Sequence, residues 1–567
     1  MQNTKNILVW VLLFTTMQSV VAQKYFEKSI SWEKWHEGHK ILEQSNGNFI
    51  IAGSSTSGAV WHAYTAIIDE QGNTNQINNY LFSNYYNDCN ATEFIESGDK
   101  LIVAGYINDT MGTSDLYYLQ LSENGTLEDS LFVGTDTTIN GGFALCATFD
   151  GGYFAGGSIN SLNSYVRPYL VKINSTNDIQ EELIYSQYAE QGINTFTDIH
   201  QAINQPYYYA VGKYKSTNFV GKSLLVMLDT SGIVLRDTIY SFYVRDILVE
   251  LDELPDGGFL VVGQSIDADN IKHGLILRLN PDWTVAWYTI NYFYDGDAGA
   301  CFIAPDGNYV IAGSRENIYT VPFNYDGEIV KLNPDGSLRW RRILGGDEYD
   351  YIYDAIGSTD GSIVVCGRTA SNVENNGANL WVLKLNCMGL LTEPQAAFAA
   401  QIDTNALTAT FQNLSQFVYP DSTDGGHYIW DFGDGTTSTQ INPTHTYAQG
   451  GNYTVTLTAV VCSDTSVFVQ ELSTWAVGIN QVWVNPKFSH FVPNPTTGVA
   501  QLSYNLPTDA QATLTLTDIS GSIQQKVLLT GNGTYSLDTR PLSNGLYLYT
   551  VQQNGNVILR DKLVVIK

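Results

Sequence analysis

Residues 307–313 read GNYVIAG, which is a turn, a short apolar strand and a closing glycine. Six other segments share this pattern, so that closing glycines follow one another at intervals of 52, 52, 55, 51, 50 and 54 residues; they are Gly53, Gly105, Gly157, Gly212, Gly263, Gly313 and Gly367. Each repeat of roughly 50 residues contains four predicted strands, which is typical of a propeller blade. The strands are nearly continuous apolar runs and need cover on both faces. We therefore predict an all-β chain with a seven-bladed β-propeller over residues 23–390, rather than a β-solenoid, whose coils are shorter.

The two ends of the repeat region indicate how the ring closes. The seventh repeat passes from residues 380–385 into a different sequence pattern without an outer strand. Residues 24–30, in contrast, begin at the outer-strand position of a repeat. We expect this amino-terminal strand to complete the last blade. The repeat resembles β-propeller repeats of secreted bacterial proteins, a resemblance that implies the fold and says little about a ligand.

The loops predict where a ligand would bind. In an antiparallel four-stranded blade, the loop between the second and third strands lies on the same face as the connections between blades. The loops between the second and third strands differ in every repeat of this chain, as in 54–63 and 314–326. Variable loops on a rigid scaffold often carry binding residues. Aromatic rings beside carboxylates suit sugars or peptides, although the same rings could simply pack on neighbouring blades. The candidate ligand-binding residues are Trp61, Tyr165, Phe219, Tyr319, Phe323, Tyr325, Asp347 and Asp350.

A second module is predicted over residues 391–478. The blocks 428–435 (YIWDFGDG), 443–447 (PTHTY) and 451–458 (GNYTVTLT) alternate apolar and polar residues as sandwich strands do. Together they resemble a PKD domain, an immunoglobulin-like β-sandwich. The resemblance implies that Trp430 is a core residue and that the module is a spacer or a weak protein or carbohydrate contact. Asp431 and Asp434 are expected to cap turns rather than to bind calcium.

The last module is predicted over residues 485–567. A Pro-Asn-Pro start at 493–495, alternating residues 512–518, the segment 544–549 (NGLYLY) and the terminal KLVVIK are its main features. These motifs resemble the type A C-terminal sorting domain of the type IX secretion system in Bacteroidetes. The resemblance implies a small β-sandwich that the type IX secretion machinery recognises, export across the outer membrane, and surface anchoring or release.

The amino-terminal segment and the composition restrict location and partners. Residues 7–14 (ILVWVLLF) form an apolar run that is too short to span a bilayer. Small residues before Gln23 are typical of a signal-peptidase cleavage site that ends at Ala22. We therefore predict a signal peptide over 1–22 and no transmembrane segment in the mature chain. Lys and Arg number 28 against 57 Asp and Glu, for a net charge of −29. Nucleic acids and anionic membranes attract basic surfaces, so we expect neither as a partner. No residue pattern points to a cofactor.

The six cysteines are too sparse for a disulfide scaffold. We expect Cys366 to lie opposite Val382 in a hairpin, which excludes a bridge from Cys366 to Cys387. Catalytic motifs such as G-x-S-x-G and H-E-x-x-H do not occur. His36 and His39 are predicted to lie in a solvated loop rather than to bind metal. Asp347 and Asp350 form a carboxylate pair that could act on glycosides, but chance pairs are expected in so acidic a chain.

These observations favour a secreted or surface-anchored, non-catalytic binding or adhesion protein whose propeller loop face engages a glycan or protein ligand. One alternative is an extracellular hydrolase or lyase with its site on that face. Another is a structural component of the cell surface. A cluster of two or three carboxylates with an arginine at the channel mouth would favour the enzyme, whereas an aromatic shelf without that cluster would favour binding.

Overall fold

The computed structural model describes residues 24–567 apart from sixteen short segments. The segments left out are 33–34, 58–59, 81–85, 110–113, 135–137, 162–165, 189–192, 217–219, 318–323, 372, 374–376, 419–425, 476–486, 507–509, 519–521 and 554–555. The predicted signal peptide therefore lies outside the described residues. The chain divides into two compact units, residues 1–475 and 476–567.

The repeat region is built almost entirely of strands. In chain order they are β1 (Phe26–Ile30), β2 (Trp35–Glu43), β3 (Phe49–Ser57), β4 (Val60–Ile68), β5 (Thr74–Tyr80), β6 (Tyr86–Ser97), β7 (Lys100–Asp109), β8 (Ser114–Leu121), β9 (Leu127–Val133), β10 (Thr138–Ala147), β11 (Tyr153–Ser161), β12 (Arg167–Ile173), β13 (Ile179–Ile184), β14 (Ile193–Gln201), β15 (Tyr208–Ser216), β16 (Lys222–Leu228), β17 (Val234–Tyr240), β18 (Arg245–Glu253), β19 (Phe259–Ile266), β20 (Lys272–Leu279), β21 (Val285–Tyr292), β22 (Asp297–Ile303), β23 (Tyr309–Asn317), β24 (Asn324–Leu332), β25 (Leu338–Leu344), β26 (Asp350–Gly357), β27 (Ile363–Thr369) and β28 (Asn379–Leu385). A single 3₁₀ turn, Ser186–Tyr188, interrupts the described strands of this region.

Antiparallel pairing groups these strands in fours. Six groups are consecutive, namely β2–β5, β6–β9, β10–β13, β14–β17, β18–β21 and β22–β25, and a further sheet has the order β1-β28-β27-β26. The first strands of successive groups contact one another, and β26 contacts β2, so the contacts run round a closed ring. The all-β, propeller-like architecture predicted from the repeat is confirmed, and we interpret each group as one blade.

The amino-terminal strand closes the ring. Strand β1 pairs antiparallel with β28 over its whole length, from Phe26 opposite Lys384 to Ile30 opposite Leu380. The Phe26 side chain is 3% exposed in the hydrophobic core between the last and first blades. Next to this pair, Cys366 lies opposite Val382 as the predicted register requires.

The closing glycine of the repeat has a steric cause. A Cβ atom at Gly313 would lie 2.0 Å from the carbonyl oxygen of Asp297 on the innermost strand of the same blade. The corresponding distance at Gly263 is 2.0 Å, to the carbonyl oxygen of Ile247. No other residue fits so close an approach of two backbones. The residues just before each glycine are apolar because both faces of their strand are covered. Val310, Ile311 and Ala312, for example, are fully buried.

The structure corrects two local predictions. Strands β3 and β4 extend into the segment that the sequence suggested was a long loop, so only residues 58–59 separate them, and Trp61 lies on β4. Tyr325 likewise lies on β24. His36 and His39 lie on β2 rather than in a solvated loop, and His36 is fully buried. The polar residues of these segments are typical of loops, although the segments lie in strands.

Residues 398–473 form a β-sandwich. Its strands are β29 (Phe398–Asp403), β30 (Thr408–Asn413), β31 (His427–Asp431), β32 (Thr437–Ser438), β33 (Thr444–Thr446), β34 (Asn452–Val461) and β35 (Asp464–Ser473). They pair as the sheets β29-β30-β33 and β32-β31-β34-β35. Trp430 is fully buried between them, and its Nε1 donates to the carbonyl oxygen of Gln440 at 2.9 Å. Asp431 and Asp434 accept backbone N–H groups within their own turn, at 2.9 and 3.0 Å.

The second unit is also a sandwich. Its strands are β36 (Lys487–Phe488), β37 (Val499–Asn505), β38 (Gln511–Asp518), β39 (Ile523–Thr530), β40 (Asn532–Asp538), β41 (Gly545–Gln553) and β42 (Asn556–Val565). They form the sheets β36-β37-β40 and β39-β38-β41-β42 around a core that includes Leu514, Tyr549 and Val551. In the described part of the chain, no helix is long and apolar enough to cross a membrane.

Candidate functional site

Four of the eight predicted site residues can be placed. Trp61 is half-buried on β4, opposite Thr56 on β3. Tyr325 is half-buried on β24, Asp347 is exposed before β26, and Asp350 is fully buried at the start of β26. Tyr165, Phe219, Tyr319 and Phe323 lie outside the described residues.

Asp350 stabilises its own loop. Its carboxylate accepts the backbone N–H of Gly346 and the Ser371 hydroxyl, both at 2.7 Å. Asp246 has the corresponding place at the start of β18, where it accepts the N–H of Tyr243 at 3.0 Å and the Ser265 hydroxyl at 2.6 Å. The repetition of this arrangement indicates that both aspartates order the connection between blades.

Tyr325 belongs to a row of nearly parallel rings at one mouth of the channel. The centroids of Tyr349 and Tyr325 are 6.3 Å apart, those of Tyr325 and Tyr351 5.2 Å, and those of Tyr351 and Tyr353 6.0 Å, with interplanar angles of 22°, 19° and 7°. His39 on β2 ends the row 5.2 Å from Tyr353. We call these five residues the aromatic row. The rings come from the last two blades and the first, so ring closure assembles them.

Charged groups border the aromatic row. The guanidinium of Arg368 lies 4.5 Å from the Tyr351 centroid and 5.6 Å from that of Trp35, and it forms an ion pair with Glu37. On the other side, burial together with Asp295, Tyr351, Glu316 and Asp297 raises the pKa of Tyr325 to about 12. Tyr325 therefore keeps its hydroxyl proton at neutral pH. The described part of the mouth combines aromatic rings, hydroxyl donors, carboxylates and the guanidinium of Arg368.

A ring of charged residues lies deeper in the channel. Each innermost strand has a β-bulge, and the residues that follow the seven bulges are Lys40, Glu93, Ala144, Asp198, Glu250, Ala300 and Asp354. Five of these equivalent positions are therefore charged. We call Lys40 and the four carboxylates the axial ring.

Lys40 spans the channel. Its Nζ lies 3.3 Å from Asp354 Oδ1 and 3.4 Å from Glu250 Oε2, and these carboxylates belong to different blades. Asp354 also accepts the backbone N–H of Ile41 at 2.8 Å, and Asp198 accepts that of Leu251 at 3.0 Å. The axial ring thus connects neighbouring blades through side chains as well as across the axis.

Burial changes the ionisation of the axial ring. Burial raises the pKa of Glu93 to about 8, although Lys40 lowers it. Burial lowers the pKa of Lys40, but the surrounding carboxylates, Asp354 first, raise it well above its usual range. Lys40 therefore stays charged at neutral pH while Glu93 holds its proton for most of the time. Among the described residues, no group of three or more His, Cys, Asp or Glu side chains is arranged to hold a metal ion.

The axial ring was missed by sequence reasoning, although the repeat contains a signal for it. Counted back from the closing glycine, Lys40, Glu250 and Asp354 are each 13 residues away. Glu93 and Asp198 are 12 and 14 residues from theirs. An alignment of the repeats on the closing glycine would have placed Lys40, Glu250 and Asp354 in one register, with Glu93 and Asp198 one residue to either side.

A second concavity lies at the junction of the propeller and the residue 398–473 sandwich. It is a crevice of about 490 Å³. Phe302, Pro305 and Lys331 line it from the propeller, and His427, Val460 and Ser463 line it from the sandwich. Both modules therefore contribute walls.

Comparison with known proteins identifies the two C-terminal modules. A family model of the PKD domain matches residues 392–471, and a model of the secretion system C-terminal sorting domain matches residues 490–567. Residues 392–471 are thus a PKD domain, and the end of the chain is a type IX secretion sorting domain, as predicted. The protein is an exported, multidomain all-β protein of the extracellular space or the cell surface.

The more similar proteins match only parts of the chain. Collagenase ColA of Bacillus cereus is 35% identical over 92 residues, which are 15% of this chain and 10% of the collagenase. The chain therefore spans about a tenth of the length of that relative. The PKD1 domain of the Vibrio cholerae metalloprotease PrtV is 33% identical and covers 15% of this chain and 100% of that domain, with a TM-score of 0.13. The periplasmic gluconolactonase PpgL of Pseudomonas aeruginosa is 11% identical, covers 55% of this chain and 86% of its own, and has a TM-score of 0.36.

Proposed function

We propose that this exported protein is a surface-displayed or released binding protein of the adhesion type, which engages a glycan or a protein at the channel mouth. The aromatic row is the observation that supports this proposal. Aromatic rings give large contact areas at low entropic cost, and tyrosine hydroxyls add hydrogen bonds to sugars or peptides. Tyr349 is 43% exposed, so the row is open to solvent at its outer end.

Three of the four carboxylates in the axial ring have structural partners. Glu250 and Asp354 form ion pairs with Lys40, and Asp198 and Asp354 accept backbone N–H groups. Carboxylates that are held in this way stabilise the ring instead of attacking a substrate.

An extracellular hydrolase is the second candidate. The mouth holds several carboxylates together with the guanidinium of Arg368, which is the cluster that would favour an enzyme, although it lies beside the aromatic row. Asp295 and Glu316 are adjacent at the mouth beside Tyr325, and burial together with Asp295 raises the pKa of Glu316. A carboxyl group with a raised pKa can act as a general acid. Glu316→Gln separates the candidates, because it would abolish hydrolysis of a bound glycan while a binding protein would keep its ligand.

The binding proposal is tested with the full mature chain on glycan arrays and in pull-downs of surface proteins. Tyr325→Ala and Tyr351→Ala are expected to weaken binding of whatever ligand is found about two- to tenfold, since an aromatic contact contributes about 0.5–1.5 kcal/mol. Tyr288→Ala is the matched control: Tyr288 is 47% exposed on the outer strand β21 and contacts Phe242, which lies between β17 and β18. Equal losses in all three variants, or no ligand in either assay, would contradict the proposal.

A further inference from the structure

The PKD domain is attached to the propeller by a covalent bond near the end of the repeat region. Cys387, two residues after β28, forms a disulfide with Cys462, which lies in the turn between β34 and β35. The bond joins positions 75 residues apart in sequence. It therefore connects the β34–β35 turn of the PKD sandwich directly to the segment that follows the last blade.

The amino-terminal residues bind both modules at the same place. Lys24 Nζ lies 2.6 Å from Asp464 of the PKD domain and 3.6 Å from Asp360 of the last blade. The Tyr25 hydroxyl donates to the second oxygen of Asp464, and its side chain is 2% exposed. Strand β1 starts one residue later and is part of the last blade. The two residues before β1 therefore act as a bridge between blade and sandwich.

The last blade and the PKD domain also touch directly. The Ser463 hydroxyl donates to the carbonyl oxygen of Asp360 at 3.0 Å. Asp360 is held in turn by Lys384, whose Nζ lies 3.1 Å from its carboxylate. These contacts, the disulfide and the amino-terminal bridge lie on neighbouring residues, and we call them together the clasp.

The connecting segment between the modules is itself ordered. Asn386 is 1% exposed, and its side-chain oxygen accepts the N–H groups of Met388 and Leu390 at 2.9 and 3.0 Å. Met388 is 4% exposed in the hydrophobic core of the PKD domain, and Leu390 packs against that core. A flexible linker would be solvated and polar instead.

We propose that the clasp makes the propeller and the PKD domain one rigid body, so that the PKD domain is a fixed part of the ligand-presenting structure rather than a mobile spacer. Domains in one chain usually move relative to one another unless their interface is large or locked. Here the lock consists of a disulfide, a buried tyrosine and an ion-pair network from three segments of the chain. It also fixes the distance between the two walls of the 490 Å³ crevice.

Distances between spin labels test the inference in the full mature chain. Gln180→Cys on β13 and Glu471→Cys on β35 provide exposed label sites in the two modules, whereas Cys89, Cys146, Cys301 and Cys366 are buried. The unsubstituted chain shows whether those four take up label. We expect one narrow distance distribution for the wild-type clasp, and a distribution at least about twice as wide for Cys387→Ser/Cys462→Ser/Asp464→Asn.

The control is Asp434→Asn, which alters the 2.7 Å contact between the Asp434 carboxylate and His445 Nε2 inside the PKD domain and leaves the clasp intact. This variant should keep the narrow distribution. A broad distribution in the wild type overturns the inference, and so does a triple variant as narrow as the wild type. If the triple variant does not fold, the otherwise wild-type chain with thioether-linked labels is treated with a thiol reductant instead, and the same broadening is expected.

Discussion

Replacing Glu93 by glutamine should stabilise the protein at pH 8 and change it little at pH 5. Burial raises the pKa of the folded-state carboxyl from 4.5 to about 8. The folded protein therefore holds a proton that the unfolded chain has lost, and its stability falls as the pH rises from about 4.5 to about 8. Glutamine resembles the protonated carboxyl in shape and cannot ionise. The variant should lack this part of the pH dependence.

The size of the effect follows from the width of this window. One pKa unit corresponds to about 1.4 kcal/mol. The interval from pH 5 to pH 8 lies within the pKa shift of Glu93, so the wild type can lose at most about 4 kcal/mol of stability over this interval through Glu93. Glu93 is half-buried and faces the channel, so water reduces the effect. We expect Glu93→Gln to gain roughly 3 kcal/mol over the wild type at pH 8 and less than about 1 kcal/mol at pH 5.

Urea unfolding followed by tryptophan fluorescence at several pH values measures this difference. Glu96→Gln is the matched control, because Glu96 is an exposed glutamate on the same strand, β6. The free energy of unfolding of the Glu96→Gln variant should equal that of the wild type at every pH. If the two variants show the same pH profile, the burial of Glu93 in the axial ring does not determine its ionisation, and the reasoning is refuted.

Three further outcomes are expected. Deleting residues 24–30 removes β1 and the buried Phe26 and should cost at least about 3 kcal/mol, seen as a lower melting temperature; a truncated chain that melts like the full one would contradict ring closure by β1. Cys387→Ser/Cys462→Ser should lose about 4 kcal/mol in non-reducing urea unfolding, since the bond closes a loop of 75 residues, and equal midpoints for variant and wild type would exclude this role. Deleting residues 485–567 should leave the protein in the periplasm, as cell fractionation will show, and normal secretion without them would rule out the sorting assignment.

The sequence predicted the strands of the propeller well because one steric requirement recurs in every blade. Gly263 and Gly313 mark the place where two backbones approach, and the apolar residues before them are covered on both faces. The axial ring was harder to predict, since a β-bulge inserts one residue and reverses the simple alternation of buried and exposed positions. The alternation of residues around Lys40 and Glu93 therefore gives no sign that the two side chains belong to one ring.

The candidate site was only partly predictable for a related reason. Tyr325 was identified from its variable segment, whereas its neighbours Tyr351 and Tyr353 lie on an innermost strand that ring closure brings beside β2. Pairings between distant segments leave no local pattern. The same holds for Cys387 and Cys462, which belong to different modules, and for Lys24, whose partner Asp464 is 440 residues away.

The disulfide also determines how the chain would respond to a mechanical load. If the propeller is held and the chain is pulled beyond β35, tension passes from Cys387 through the sulfur atoms to Cys462 and then along β35. Residues 388–461 lie outside that path. About 250 Å of extended chain therefore stays folded under a force that would otherwise unravel most of the sandwich. While the disulfide is intact, a load applied in this way cannot lengthen the protein by extending residues 388–461.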